Sequence, residues 1–325
     1  MMFLEIQVDL DPNLFAIGPF TLTWHGIFSV LGILATIRMS QWLAWRSDKI
    51  PSDKIYDAAF WAVVVGLLGA RIHYVLENYK LFAGHWLDVL AVNKGGISQW
   101  GGIFGGLIGI WIWSRRNAIS YWKLVDAVGP PALVGLAVGR IGDVINGEHH
   151  GTPTTLPWGV RYINPHTLGQ PGSVVHPEVA YEMILSLALV ALLLPFYGRL
   201  RARFPDGVTG LLFLSLYAVG RFYLSYFRAD QIEFGLRQAQ WASLLMVVLG
   251  IVFGAYLLSR PRPAVAAPVP VPAASAGRTR RRPAAPPPPP GDGSSAPAPR
   301  RSTRAAGGST RTRRRPPPTA SPPDP

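Results

Sequence analysis

The chain lacks cysteine and is poor in charge, and each absence excludes a class of protein. Without cysteine there are no disulfides, zinc–thiolate sites or iron–sulfur clusters, and no thiol nucleophile of the protein's own. Charged residues make up 15% of the 325 residues, against about 25% in ordinary globular proteins. Hydrophobic residues reach 49%. This composition is too apolar for a soluble domain and indicates a membrane protein.

The net charge of +13 is concentrated in the C-terminal tail. Residues 261–325 contain twelve Arg and two Asp, a charge of +10, which leaves only +3 for residues 1–260. The tail is rich in Pro, Ala, Ser and Gly, and after Val271 it has no large aliphatic or aromatic side chain, so it cannot bury enough surface to offset ordering entropy. We predict a transmembrane domain over 1–260 and a disordered basic tail over 261–325. The tail is expected to lie near anionic membrane lipids, with no specific nucleic-acid partner.

Seven apolar stretches approach the roughly 20 residues that a helix needs to cross a bilayer. We therefore predict an all-α integral membrane protein of about seven transmembrane helices. The first eighteen residues carry acidic groups and no basic n-region, so they are not expected to be a cleavable signal peptide. The predicted spans are Phe20–Leu43, Tyr56–Leu76, Gly96–Trp113, Val125–Ile145, Val179–Tyr197, Val208–Phe227 and Gln240–Leu258.

The orientation is predicted from the Lys and Arg residues of the short connections, which accumulate on the cytoplasmic side. The first, third and fifth connections are basic, and the tail adds twelve Arg, whereas the N-terminal segment has acidic residues and no base. The N-terminus is therefore expected outside and the C-terminus in the cytoplasm. The basic residues of these connections are Arg46, Lys49, Lys54, Arg115, Arg116, Lys123, Arg199, Arg201 and Arg203.

Glycines recur at helical spacing in the third predicted span, where they form overlapping G-x-x-x-G pairs. Small residues at this spacing let two helices approach closely in lipid. We expect them to serve packing, since no strand precedes them and no nucleotide-binding G-x-G-x-x-G is present. They are Gly101, Gly102, Gly105, Gly106 and Gly109.

Several polar residues lie inside the predicted spans, and all fall in the outer half of the bilayer. Ionisable groups in a span are costly and mark functional sites. A shared depth favours one cavity, and three arginines at that depth favour a phosphate ligand, such as a lipid headgroup. The alternative is that individual arginines snorkel or pair with acidic neighbours such as Glu148. The residues are His25, Arg71, Arg140, Asp143, Asn146 and Arg221.

The outer connection Gly147–His176 carries one glutamate and four histidines. Imidazole and carboxylate groups are metal ligands, but their spacing here fits no zinc motif. We predict neither a metal nor a cofactor.

The stretch Gly139–Gly151, GRIGDVINGEHHG, closely resembles the signature G-R-x-G-N-F-x-N-x-E-x-x-G of the prolipoprotein diacylglyceryl transferases. Other segments agree in the family's order over roughly residues 3–258. They are NLFAIGPFTLTW before His25-Gly26, Gly69-Ala70-Arg71, GGISQWGGIFGG over Gly95–Gly106, His176-Pro177 with Tyr181-Glu182, Gly220-Arg221-Phe222, and Gln240–Ser243.

This resemblance implies a seven-helix enzyme of the bacterial plasma membrane. It would transfer the diacylglyceryl group of phosphatidylglycerol to the lipobox cysteine of a prolipoprotein signal peptide, releasing glycerol phosphate. The catalytic candidates are Arg221, Glu148 and His25. The candidates for binding phosphatidylglycerol are Arg140, Arg71, Asn146, Gly151 and Asp143.

The sequence departs from the family pattern at three positions. Trp100 stands where many members have His, Ser225 where many have Glu, and Asp143 replaces the signature's first Asn. Because two titratable groups are missing, a catalytically silent paralogue that binds phosphatidylglycerol or signal peptides is the alternative. A small transporter is disfavoured, since no inverted repeat is visible. If the enzyme is active, either His25 accepts the thiol proton or the arginines favour the thiolate; we favour the arginines.

Overall fold

The computed structural model describes residues 5–18, 20–82, 84, 86–90, 96, 98–148 and 150–260. The predicted disordered tail lies outside these residues. The described part contains eight α helices: α1 Trp24–Asp48, α2 Ser52–Glu77, α3 Gln99–Arg116, α4 Tyr121–Asn146, α5 Glu178–Leu193, α6 Tyr197–Arg203, α7 Val208–Leu224 and α8 Gln238–Ser259.

Six segments of the described residues are long and apolar enough to cross a membrane. They are α1, α2, α4, the continuous α5–α6 segment Glu178–Arg203, α7 with its last turn to Phe227, and α8. They correspond to six predicted spans, with shifts of a few residues at most ends. The third predicted span corresponds to α3, which has 18 residues and is not among the six. The chain is therefore a mostly helical multi-pass membrane protein with six to seven long apolar helices.

The all-α prediction missed three small sheets in the connections. Each strand has two to five residues, too few to show a hydrophobic period, and nonlocal pairing stabilises them. The first predicted span also began too early, because residues 20–23 form a strand and Thr23 caps α1 by accepting a hydrogen bond from the Gly26 amide at 3.1 Å. The strands are β1 Ile6–Val8, β2 Asn13–Ile17, β3 Phe20–Thr23, β4 Val160–Tyr162, β5 Val174–Val175, β6 Ile232–Glu233 and β7 Leu236–Arg237.

These strands surround one end of the helix bundle. β4 pairs in parallel with β1 and antiparallel with β5, so Val160 lies opposite both Ile6 and Val175. The pairs β2–β3 and β6–β7 are hairpins that lead into α1 and α8. The ends of α4 and α7 and the starts of α1, α5 and α8 therefore meet under one layer of strands and connections. We call this the strand end.

Close glycine contacts join α2 to α3, as the sequence predicted. A Cβ atom added to Gly101 would lie 2.2 Å from the Gly69 carbonyl oxygen, and one on Gly105 would lie 2.5 Å from that of Val65. The α1–α4 pair uses the same device, since a Cβ on Gly32 would lie 2.4 Å from the Gly135 carbonyl oxygen. Packing at backbone distance fixes the two helix pairs.

A buried ionic cluster closes the opposite end of the bundle. Pro130 has no amide hydrogen for the Asp126 carbonyl, which accepts from the Tyr197 hydroxyl at 3.2 Å instead. The Asp126 carboxylate accepts from Gly207 and Gly210 amides at 2.6 and 2.7 Å and from Arg201 at 2.5 Å. Arg201, which the sequence assigned to a basic connection, is thus largely buried here and also binds Asp48.

The glycine contacts predict a difference between two neighbouring alanine substitutions. Gly105→Ala should lower the thermal unfolding midpoint in detergent, because overpacking typically costs about 1–3 kcal/mol. Gly106→Ala is the matched control, since its Cβ would meet nothing closer than the Ala62 carbonyl oxygen at 3.5 Å. The control should be neutral or stabilising, since Ala favours helix by up to about 1 kcal/mol over Gly. Equal midpoints for the two variants would contradict the packing interpretation.

Candidate functional site

A long groove of about 1940 Å³ separates α3 from α4, α7 and α8. It exists because α3 packs against α2 along its length and only sparsely against α4. Most of its walls are apolar, and it extends along most of the length of α8. The apolar lining includes Ile103, Phe104, Leu107, Trp111, Leu133, Leu136, Leu214, Met246, Leu249 and Phe253.

At the strand end, polar side chains replace the apolar lining. Arg140 comes from α4, Glu182 from α5, and Tyr217 and Arg221 from α7. Arg228 and Asp230 follow α7 and line the same end. The groove therefore combines a long apolar wall with a charged end.

A continuous series of ion pairs links these charged groups, and we call it the ion-pair chain. Arg140 contacts Asp143 through Nη1 at 2.5 Å and Glu182 through Nη2 at 2.9 Å. Arg221 Nε lies 3.2 Å from the other oxygen of Glu182, so this carboxylate joins the two arginines. Because Glu182 is fully buried, the pair must be satisfied within the protein.

The ion-pair chain continues beyond Arg221 to a third arginine. Arg221 donates to Glu178, whose second oxygen lies 3.2 Å from Arg228 Nη1. Arg228 Nε donates in turn to Asp230 at 2.5 Å. Burial disfavours the charged form of Arg228, yet Asp230 and Glu178 hold the pKa of its guanidinium above the ordinary value. All three arginines are thus fixed by carboxylates.

Sequence reasoning missed Glu178, Glu182, Tyr217 and Arg228 as members of the site. The Tyr217 hydroxyl donates to Glu182, which already holds Arg140 and Arg221. An acidic residue in an apolar helix is itself a functional signal, and Glu182 could have been found that way. Arg228 carried no such signal, because it lies in a connection of mixed charge.

A second cluster forms where α1 begins and α4 ends. His25 Nδ1 lies 2.5 Å from Asp143 Oδ1 and 3.7 Å from Glu148 Oε2. Asn146 Nδ2 donates to the other Glu148 oxygen at 2.9 Å. Gly142 allows this approach, because a Cβ there would lie 2.6 Å from the Cα of His25. The structure therefore brings four predicted site residues together beside Arg140.

One ligand atom each from His25, Asp143 and Glu148 lies within 4.8 Å of the others, so this group is the place to consider a metal ion. Arg140 already contacts the second oxygen of Asp143 at 2.5 Å, and its positive charge opposes a cation there. The cluster therefore fits an arginine-balanced carboxylate better than a metal centre. The absence of a metal remains a prediction.

Arg71 does not join either cluster. Its guanidinium donates to the carbonyl oxygens of Asp88 at 2.6 Å, Gly96 at 2.7 Å and Val89 at 2.8 Å. It also lies over the rings of Tyr74 and Phe82. These contacts attach the connection after α2 to that helix. They give Arg71 a structural role and do not support the expected contact with phosphate.

Gly151 lies where three connections of the strand end cross. It forms an isolated β-bridge with Arg228, and a Cβ there would lie 2.0 Å from the His176 carbonyl oxygen. Partial burial lowers the pKa of the His176 imidazole. Burial also raises the pKa of Tyr162 to about 12, and its hydroxyl donates to the Val144 carbonyl oxygen. Gly151 therefore allows its own connection to lie against those of His176 and Arg228.

Comparison with known proteins identifies the family of this arrangement. The family model described as prolipoprotein diacylglyceryl transferase matches residues 12–256. The phosphatidylglycerol–prolipoprotein diacylglyceryl transferase of Synechocystis sp. is 33% identical over 260 residues, which is 78% of this chain and 92% of that protein. The enzymes of that name from Gloeobacter violaceus and Nostoc sp. are each 36% identical and cover 77% and 78% of this chain, at 93% and 91% of their own lengths. The resemblance seen in the sequence is confirmed, and the chain belongs to the prolipoprotein diacylglyceryl transferase family.

Proposed function

We propose that this protein transfers the diacylglyceryl group of phosphatidylglycerol to the cysteine thiol in the lipobox of a prolipoprotein signal peptide, and releases glycerol phosphate. The relatives are named for this transfer. The observation that carries the proposal is the junction between a long apolar groove and the buried Arg140–Glu182–Arg221 series at its end. Acyl chains fit the apolar part, and a phosphate diester fits the arginines.

Arg140 is the principal phosphate ligand in this proposal. Its Nη atoms are engaged by Asp143 and Glu182, while its buried Nε has no hydrogen-bond partner among the described residues. A buried donor without a partner is costly, so a ligand oxygen at this position would be stabilised. Arg221 supplies a second guanidinium on the facing helix α7. Guanidinium remains charged and matches phosphate oxygens with a planar fork.

The transfer requires one bond to form and one to break. The thiolate sulfur attacks the glycerol carbon that carries the phosphate, and the bond from that carbon to oxygen breaks. The electron pair leaves on the phosphate as glycerol phosphate, so negative charge grows beside Arg140 and Arg221. Fixed positive groups at such a position lower the barrier. The thiol proton must leave the substrate, because cysteine has a reference pKa of about 8.5.

The second cluster has a supporting role in this proposal. Glu148 and Asn146 bind each other beside His25 and Asp143, so they support the position of Arg140 from outside the groove lining of the described residues. His25 positions Arg140 through Asp143 and does not itself line the groove among the described residues. Gly151 keeps Arg228 in place, and Arg71 keeps the connection after α2 in place.

We propose that the strand end faces outward from the bacterial plasma membrane, where it meets phosphatidylglycerol of the outer leaflet. The basic connections would then be cytoplasmic, as the charge bias requires. Residues 1–260 would form the transmembrane transferase domain, and residues 261–325 a basic tail near anionic lipid.

The proposed contact between Arg140 and the phosphate predicts loss of transfer in Arg140 variants. Purified protein is incubated with phosphatidylglycerol and a lipobox peptide, and the mass gain of the peptide is measured. Arg140→Ala should lower the rate by at least about 100-fold, the usual cost of a lost charge-stabilising donor. Arg140→Lys should recover little, because a point charge cannot replace a bidentate fork.

Two controls accompany this measurement. Arg161→Lys changes an arginine of the strand end that pairs with Glu5 at 2.8 Å outside the groove, and its rate should stay within about two-fold. Thermal unfolding checks that the Arg140 variants remain folded, since Glu182 loses a buried partner. Full activity in folded Arg140→Ala would overturn the assignment. An inactive wild-type protein that still binds phosphatidylglycerol would instead favour the silent paralogue.

The positioning role of His25 predicts a ranking of two variants. His25→Tyr should retain substantial transfer, because a hydroxyl can still donate to Asp143 and because the arginines favour the thiolate whichever group accepts its proton. Arg221→Gln should lose most activity, about 100-fold, since it removes charge at the leaving group. The peptide mass assay measures both. An inactive but folded His25→Tyr beside a near-normal Arg221→Gln would make His25 the base.

Glu148 is expected to help position Arg140 through His25 and Asp143, and not to accept the thiol proton. Glu148→Gln keeps the hydrogen-bonding shape toward Asn146 and removes the charge, so the rate should fall by about ten-fold, the value of one charge-assisted hydrogen bond. The pH dependence of the rate should keep its wild-type form. Recovery of the variant at raised pH would show that Glu148 acts as a general base.

A further inference from the structure

A histidine outside the site described above contacts the groove wall. His73 lies near the end of α2, and its Nδ1 is 2.9 Å from Ser98 Oγ. The same nitrogen lies 3.2 Å from Glu77 Oε2, one helical turn further along α2. Ser98 and Glu77 both line the groove, and the imidazole is about one-third exposed. An imidazole is thus one hydrogen bond away from the substrate space.

The position of His73 is set by the closest part of the α2–α3 contact. A Cβ atom on Gly101 would lie 2.5 Å from the Cβ of His73, so this glycine allows the histidine to lie directly against α3. The amide of Ser98 donates to the Ala70 carbonyl at 2.9 Å, which holds the start of α3 beside α2. The neighbouring Trp100 also lines the groove. The His73 imidazole therefore lies at the end of the groove where α2 ends and α3 begins.

We propose that Ser98 and His73 form the route by which the substrate thiol loses its proton. This inference rests on the proposed function and names the proton acceptor that the transfer requires. The thiol donates its proton to Ser98 Oγ as that hydroxyl donates its own proton to His73 Nδ1. The sulfur then attacks the glycerol carbon as a thiolate, and the imidazolium keeps the proton. Ser98 begins and ends as a neutral hydroxyl, so the proton is conserved.

The Glu77 carboxylate is placed to stabilise the protonated form of His73 that this route produces. In the neutral tautomer whose proton is on Nε2, Nδ1 accepts from the Ser98 hydroxyl and gives no hydrogen bond to Glu77. Once Nδ1 carries a proton, the Glu77 carboxylate lies 3.2 Å from a positive group and stabilises it. On the other helix packed against His73, α3, the described contact is with uncharged Gly101, and Ser98 is also uncharged. Glu77 is thus the charged group that the described residues place against this imidazole.

His25 is less well placed for the same task. Its Nδ1 is held by Asp143, which in turn holds Arg140, so protonation of His25 would change the balance of the ion-pair chain. Among the described residues His25 is not part of the groove lining, whereas the hydroxyl bound to His73 is. The route through Ser98 leaves the phosphate ligands in their charge state throughout the reaction.

The experiment compares His73→Gln with wild type in the lipobox peptide assay. Glutamine can accept from Ser98 but cannot take up its proton. We expect kcat to fall by about 100-fold, the usual range for a lost acid–base group, with little change in KM for phosphatidylglycerol. Ser98→Ala should show the same kcat loss, and His166→Gln, an exposed pair with Asp11, should behave as wild type.

A selenocysteine peptide separates a chemical defect from a structural one. A selenol is largely ionised at neutral pH, so transfer to it does not need a proton acceptor. The difference between His73→Gln and wild type should shrink to a few-fold with this peptide. Near-normal kcat of His73→Gln on the cysteine peptide would overturn the inference, and so would a folded variant that is equally impaired on both peptides. Wild-type protein that transfers to neither peptide would overturn the proposed function itself.

Discussion

Charged groups inside a membrane protein must find partners within the protein, and this requirement organises the whole strand end of the bundle. Glu182 is fully buried in α5 and contacts Arg140 on α4 and Arg221 on α7. Removing one member would leave an uncompensated charge, a loss of about 3–5 kcal/mol in comparable buried pairs. Because each partner belongs to a different helix, the ion-pair chain fixes the relative positions of α4, α5 and α7. The same geometry holds the guanidinium groups of Arg140, Arg221 and Arg228 at one end of the groove.

The groove exists because of where the helices do and do not touch. Glycines bring α2 to α3 and α1 to α4 at backbone distance. The α3 helix is then left with little contact to α4, and its large side chains face open space beside α8. The groove is thus a consequence of uneven packing as much as of special residues.

The residues that depart from the family pattern have specific contacts in the structure. Asp143 replaces the signature's Asn with a full charge, and the structure pairs that charge with both Arg140 and His25. Trp100 supplies apolar surface to the groove and brings no titratable group to it. An imidazole is nevertheless present nearby, on α2 instead of α3, and it is bound to a serine of the groove wall. Chemistry lost at one backbone position can therefore be supplied from an adjacent helix.

The sequence by itself determined the membrane class, six of the apolar spans and the positions of the polar residues along them. It could do so because a helix in lipid satisfies its own backbone, so apolar length alone defines a span, and because depth follows from position along the helix. Depth says nothing about the direction in which a side chain points. Arg71 and Arg140 were therefore predicted together, yet helix rotation and packing direct Arg71 to the backbone carbonyls of Asp88, Val89 and Gly96 and direct Arg140 to the groove. Glu178, Glu182 and the short strands depend on partners distant in sequence, and only the tertiary structure decided them.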